Sequence, residues 1–175
     1  MTTSDAVFTI SRTFAAPQDL VWECWSEPHR MAAWLGPKGA QAQMLRHELV
    51  PGGIVHFSMA MEGMTKHWGK LVYREIDAPH RLVWEHSFAD AEGNLVRHFM
   101  SPTWPLKLLT TVTLARDGQG TKVTLEWRPL DASAEDITTF QDGMEGMNMG
   151  WGGSFDQLAD YLETFADDDQ DDDED

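Results

Sequence analysis

The sequence predicts an α+β domain in which a curved, seven-stranded antiparallel sheet wraps around a long C-terminal helix, with two short helices between strands 1 and 2. Three patterns predict it. Residues 8–14 and 41–130 consist mostly of short extended segments with period-two alternation, cut by turns that carry Gly or Pro. Residues 133–165 carry an apolar stripe at steps of three and four, the spacing of one helix face. Residues 17–37 hold two short stretches with helix start and stop residues.

Phe8, Ile10 and Phe14 alternate with Thr9, Ser11 and Thr13, which gives strand one a single buried face, interrupted by Arg12. Pro17 suits a first helical turn, where its missing N–H costs nothing, and Leu20, Val21 and Cys24 follow as an apolar stripe. Ser26, or Glu27 before Pro28, opens a second helix through Met31, Trp34 and Leu35, which Gly36 and Pro37 stop. From residue 41 to 130, turns at Pro51-Gly52-Gly53, Glu62-Gly63, Asp77-Ala78-Pro79, Glu92-Gly93-Asn94 and Asp117 to Gly120 space out a meander. The last hairpin can be registered. A turn centred on Gly118-Gln119 pairs Leu114 with Val123, Val112 with Leu125 and Thr110 with Trp127 on one face. By the same alternation Val55, Phe57, Met59 and Met61 face away from His56 and Ser58, and Leu82, Trp84, His86 and Phe88 share a face.

Ser133 starts the last helix, with Glu135 and Asp136 in the first turn, where the helix dipole favours negative charge. Its stripe runs from Ile137 through Phe140, Met144, Met147, Trp151, Phe155, Leu158 and Leu162 to Phe165. Beside it run Gly143, Gly146, Gly150 and Gly153. Each costs about 1 kcal/mol relative to Ala inside a helix, so the run calls for a reason. Either the helix kinks or breaks near Gly150 to Gly153, or the missing side chains leave room for a ligand or a close neighbour.

A chain of 175 residues fits one domain, and 42% hydrophobic content with eight Trp and eight Phe can fill a core. The formal charge is −16, and eight of the 29 acidic residues fall in Asp167–Asp175. The remaining acids still outnumber the 13 Lys and Arg, which argues against nucleic acid as a partner. The expected organisation is a flexible N-terminus at 1–6, the folded domain at 7–165 and a disordered acidic tail at 166–175. One cysteine, Cys24, allows no internal disulfide, so a reducing, cytoplasmic setting is expected, with no membrane partner, because no apolar run is long enough to span one.

No metal and no cofactor is expected. The His residues at 29, 47, 56, 67, 80, 86 and 98 show no paired ligand spacing, and there is no phosphate loop, GxSxG elbow or dinucleotide fingerprint. Glu85 and His86 are neighbours on one strand and point to opposite faces, so they form no dyad. His86 reads either as a core-edge histidine satisfied by a hydrogen bond or as a group that orients a ligand or transfers a proton. Arg12 reads as an edge residue with its guanidinium in water, or as an anion anchor. Cys24 reads as a buried, inert thiol. Met59, Met61, Met100, Met144, Met147 and Met149, with Trp34, Trp68, Trp84, Trp104 and Trp151, fall on segments that a helix packed over a sheet brings together. They fill a core, or they line a cavity for a bulky apolar ligand, since thioethers repack around irregular shapes. The segment Glu92 to Pro105 is long for a hairpin loop and suits a cover for a cavity mouth.

The order of elements is the helix-grip arrangement, and the motifs resemble those of the START-like (SRPBCC) superfamily, in the family of the heat-shock protein 90 ATPase activator C-terminal domain. The matching pieces are Phe14-Ala15-Ala16-Pro17 with Val21-Trp22, Glu27-Pro28 with Trp34 and Gly36-Pro37, Pro51-Gly52-Gly53, and Gly69 with Glu75-Ile76. Pro79-x-Arg81-Leu82, Gly120-Thr121-x-Val123-Thr124-Leu125, and Gly150-Trp151 before Leu158 and Leu162 complete the set. The resemblance implies a hydrophobic cavity between sheet and helix, and it implies a chaperone ATPase as a partner. Where many members place Trp after Leu82-Val83-x-x, this chain has His86, which implies a more polar wall there.

The leading expectation is a non-enzymatic domain that binds a small hydrophobic molecule. Its candidate lining is Phe57, Met59, Trp84, His86, Val112, Leu125 and Trp127 from the strands and Met144, Met147 and Trp151 from the helix. The alternatives are a module that binds or stimulates a heat-shock protein 90 type chaperone ATPase, which calls for a contiguous exposed apolar patch, and a cyclase-like or hydrolase-like enzyme, which calls for an ionisable group with a shifted pKa inside the cavity.

Overall fold

The computed structural model describes residues 6–36 and 38–171, with side chains through residue 166. Seven strands, β1 (Phe8–Phe14), β2 (Gln41–His47), β3 (Ile54–Ala60), β4 (His67–Asp77), β5 (Arg81–Ala89), β6 (Lys107–Asp117) and β7 (Gly120–Leu130), form one antiparallel sheet. The order is β1-β7-β6-β5-β4-β3-β2, a meander whose last strand is flanked by the first. Helices α1 (Gln18–Ser26) and α2 (Pro28–Trp34) lie between β1 and β2, and α3 (Ala134–Asp142) and α4 (Met144–Asp171) follow β7.

The last hairpin has the register its alternation predicts, with Thr110, Val112 and Leu114 opposite Trp127, Leu125 and Val123. All six are buried, because the alternation puts every second residue of each strand on the concave face. β1 extends this face, placing Ile10 opposite Leu125 and Phe14 opposite Thr121, whose hydroxyl donates to the Ala16 carbonyl at 2.8 Å.

β3 departs from the simple reading. Val55, Phe57 and Met59 are buried as expected, but so are His56 and Ser58 on the opposite face. The turn after β5 folds back over that face: the His56 ring reaches the Asp90 carbonyl at 3.0 Å, and Lys70 donates to the Gly93 carbonyl at 3.1 Å. No local pattern in β3 encodes a cover supplied from 34 residues away.

The C-terminal region is two helices, a correction to the single helix expected from Ser133 onward. Ser133 caps α3 as predicted, in a capping box with Asp136. Gly143 then breaks the run with φ −91 and ψ 5, and α4 continues unbroken through Gly150 to Gly153, where a kink was one of the two expectations. A residue without Cβ suits the break because the Trp104 ring packs against it, 3.2 Å from where a Cβ would stand. An added Cβ at Gly146, Gly150 or Gly153 meets nothing within 4 Å, so close packing explains none of those three.

The N-terminal expectation falls mostly outside the described residues, except that Ala6 is buried at 3% exposure. α4 takes in the backbone of the expected tail as far as Asp171, and residues 172–175 lie outside the described residues. Gly36 turns the chain out of α2 with φ +100, a conformation that suits a residue without Cβ, and Pro37 also lies outside.

Candidate functional site

Above the concave face, the sheet and α4 form a half-open apolar cavity of about 340 Å³. Strand alternation builds its floor. Phe57 and Met59 come from β3, Gly69 and Leu71 from β4, Trp84, His86 and Phe88 from β5, and Trp127 from β7. Phe57, Gly69 and Phe88 lie in one cross-strand row. Gly69 is needed in that row because a Cβ there would stand 2.3 Å from the Phe57 ring, so its absence lets the ring lie down over β4. The roof is Met147, Gly150, Trp151 and Ser154 of α4, a set at helical spacing. Met31, Leu35 and Gly36 close one side, and His67 and Trp68 close another.

Seven of the ten candidate lining residues meet here: Phe57, Met59, Trp84, His86, Trp127, Met147 and Trp151. The other three do not. Val112 and Leu125 are fully buried in the packed core, and Met144 packs against the core at the start of α4 without reaching the wall. The candidate lining left out α2 and β4, because β4 had not been registered and α2 comes near only through tertiary packing, although Trp68 of β4 stood in the wider methionine and tryptophan grouping and does line the cavity. Ser154 was also missed, although it lies one turn beyond Gly150 on the same helix face.

The wider methionine and tryptophan grouping is corrected in two places. Met100 and Met149 are 76% and 73% exposed, while Met59, Met147, Trp34 and Trp84 are buried. Trp25 joins these, stacking on Trp151 at 6.2 Å and meeting Trp34 edge-on at 4.6 Å.

The His86 ring has no hydrogen-bond partner, so the reading as a satisfied core-edge histidine does not hold. Its cross-strand neighbours are Leu71 and Leu108, its ring stacks on Trp127 at 5.4 Å, and its Nδ1 is sealed from solvent. Burial lowers its pKa from 6.5 to about 4. Unfolding restores the ordinary value, so the unfolded chain binds more protons between pH 6.5 and 4. This contribution to stability is complete above about pH 6.5 and is lost as the pH falls toward 4. Replacing His86 by Phe removes it. The drop in unfolding free energy between pH 7 and pH 4.5, followed by urea denaturation, is expected to be smaller in the variant by about 2 kcal/mol. Equal drops would show that the wild-type ring is hydrated.

Other ionisable groups read from the sequence lie off the cavity. Arg12 donates to Asp156 of α4 at 2.6 Å and sits over the Phe155 ring at 5.8 Å, as an edge residue with its charge outward. Glu85 faces away from His86 and pairs with Arg74 at 3.2 Å. Cys24 is fully buried, and burial pushes its thiol up to about 12.

A second cavity of about 320 Å³ shares His67, Trp68 and Phe88 with the first. Val96, Arg97, His98 and Phe99 close it, so part of the Glu92 to Pro105 segment does form a cavity wall. That segment is fastened to α3. Arg97 donates to both carboxylate oxygens of Asp136 at 3.2 Å, the hydroxyls of Thr103 and Thr139 are 2.8 Å apart, and the Trp104 ring packs on Phe140.

A curved antiparallel sheet closed by a C-terminal helix over an apolar cavity defines a helix-grip domain of the START-like (SRPBCC) class. The chain belongs to the family described as Activator of Hsp90 ATPase homolog 1-like protein, whose family model matches residues 15–163. Among solved structures it is similar to a Mycobacterium smegmatis protein at 26% identity, covering 89% of this chain and 90% of that one with a TM-score of 0.74. An Arthrobacter aurescens protein is 26% identical over 90% of this chain and 86% of its own, with a TM-score of 0.76. The AHSA1 protein of Silicibacter pomeroyi, 15% identical over 91% and 99% of the two chains with a TM-score of 0.70, shares the fold. No curated protein matches the chain. Among the described residues, no helix is long and apolar enough to cross a membrane.

Proposed function

We propose that this chain is a non-enzymatic domain that binds a small hydrophobic molecule between α4 and the sheet. The observation that carries this reading is the 340 Å³ cavity, whose wall is drawn from four strands and two helices and is apolar apart from a few nitrogens and one hydroxyl. Sites for small molecules have this character, at volumes of about 300 to 1,000 Å³. The ionisable groups on the wall are two imidazoles, with no carboxylate beside them to make a general acid–base pair, which supports binding over catalysis. A single buried thiol fits a reducing, cytoplasmic setting.

The test is native mass spectrometry of freshly purified protein together with titration of an apolar fluorescent dye. The expected result is a small-molecule adduct that disappears on denaturation, or saturable binding of the dye at one site. Neither adduct nor saturable binding would overturn the reading.

The family description speaks of a chaperone ATPase, and one observation favours that second reading. Phe99 and Met100, side by side on the segment over the second cavity, are 69% and 76% exposed. An increase in the ATPase rate of a heat-shock protein 90 type chaperone on adding the chain, lost in a Phe99→Ser variant, would favour the partner over the ligand.

A further inference from the structure

The wall of the inner cavity also specifies what kind of molecule fits it. We infer that the cavity selects an uncharged, flat aromatic compound carrying a hydroxyl or carbonyl oxygen that hydrogen-bonds to His86. This rests on the small-molecule reading above and narrows it.

Three independent features of the wall lead to this class. The first is charge: among the described residues no Asp, Glu, Lys or Arg lines the cavity. An ionised ligand would leave water without a counter-ion, a cost of several kcal/mol that buried apolar contacts do not offset. The second is shape. Six of the wall residues are Phe or Trp, and Trp127 and Trp151 meet edge-on at 5.5 Å with planes 82° apart, which leaves ring faces and edges turned toward the space. Flat rings gain from such surfaces beyond the area they bury.

The third feature is the hydrogen-bonding capacity left open. Nδ1 of His86 is sealed and unpartnered, and Nε2 makes no bond to the protein and is not among the sealed atoms, so Nε2 is the nitrogen available to a ligand. Ser154 on the roof is 6% exposed, and its hydroxyl likewise has no partner. A ligand without an oxygen would leave Nε2 and the Ser154 hydroxyl unpaired beside apolar walls, whereas a hydroxyl satisfies Nε2 in either tautomer and a carbonyl satisfies it when Nε2 carries the proton. With its pKa near 4, the ring is neutral at pH 7 and does not call for an anion.

The test uses the full chain at pH 7 with three probes of one ring system: naphthalene, 2-naphthol and 2-naphthoate, their dissociation constants measured by fluorescence. The expected order is 2-naphthol tightest, naphthalene about three- to tenfold weaker, as one net hydrogen bond allows, and 2-naphthoate weaker again by tenfold or more. In His86→Phe, the ratio of 2-naphthol to naphthalene affinity is expected to fall to about one, whatever change in affinity the two probes share. Equal affinities for naphthalene and 2-naphthol in the wild type, tightest binding of the anion, or a hydroxyl preference that survives in His86→Phe would overturn the inference while leaving the small-molecule reading standing. Binding of none of the three would overturn both. The wild-type order decides the matter even if the variant fails to fold, and Ser154→Ala, which removes one hydroxyl without adding volume, is expected to keep the order.

Discussion

Gly150→Leu is expected to lower the affinity for an apolar probe at least tenfold while the protein keeps one cooperative unfolding transition. Gly150 lies on the cavity roof inside α4 and is exposed, and a Cβ added there meets nothing within 4 Å, so a leucine is accommodated without overpacking at the rim of the cavity, where it narrows the ligand space. Replacing a helical Gly by Leu also gains up to about 1 kcal/mol of helix propensity, so the variant loses no stability from its backbone. Gly146→Leu is the control. It sits one turn earlier on the same helix, as exposed and as free of neighbours as Gly150, but not on the wall. It gains the same propensity and is expected to leave probe affinity within about twofold, since a tenfold change would need about 1.4 kcal/mol of altered contact. Dye titration and thermal denaturation of the two variants side by side check this. Equal binding by both would place the ligand somewhere other than beneath α4.

The second large effect is on stability. Trp25→Ala is expected to cost about 3 to 5 kcal/mol, the range for truncating a large buried aromatic side chain. Trp25 is fully buried on α1, and its ring lies within 6.3 Å of Trp34 on α2, Trp84 on β5, and Trp151 and Phe155 on α4. Truncation therefore opens a void where both short helices, the sheet and the long helix meet. For a chain of this size the melting temperature falls by roughly 2 to 4 °C per kcal/mol, so a loss of about 10 °C is expected. Trp25→Phe should cost much less, because the indole Nε1 has no partner to lose. A loss below about 1 kcal/mol for the alanine variant, by urea denaturation, would show that this junction relaxes to fill the gap.

The sheet was legible in the sequence where both partners of a pair alternate cleanly and the turn between them is short. The final hairpin meets both conditions, so Val112 could be set opposite Leu125 from residue numbers alone. The same alternation on β3, β5 and β7, and the helical spacing of Met147 and Trp151, supplied the part of the cavity wall that was anticipated. Alternation gives the face of a residue but not its depth along the strand, which is why Val112 and Leu125 ended in the packed core although they share a face with Trp127. His56 looked polar and solvent-facing because its cover comes from a distant turn. The break at Gly143 was invisible because the apolar steps of three and four pass through it without a change of phase. The ring that packs against it, Trp104, approaches from a loop and is adjacent only in space.

The fastening of that loop has a kinetic consequence. Phe99 and its neighbours cannot swing away as a free flap. If the segment lifts alone, it gives up the Arg97–Asp136 pair, the Thr103–Thr139 bond and the Trp104 packing; if α3 goes with it, the fully buried Phe140 leaves the core. Both movements are costly, so a molecule whose exit requires this wall to lift is expected to escape slowly, whatever its affinity. Its residence time is set by residues of the cover and of α3 that it never touches.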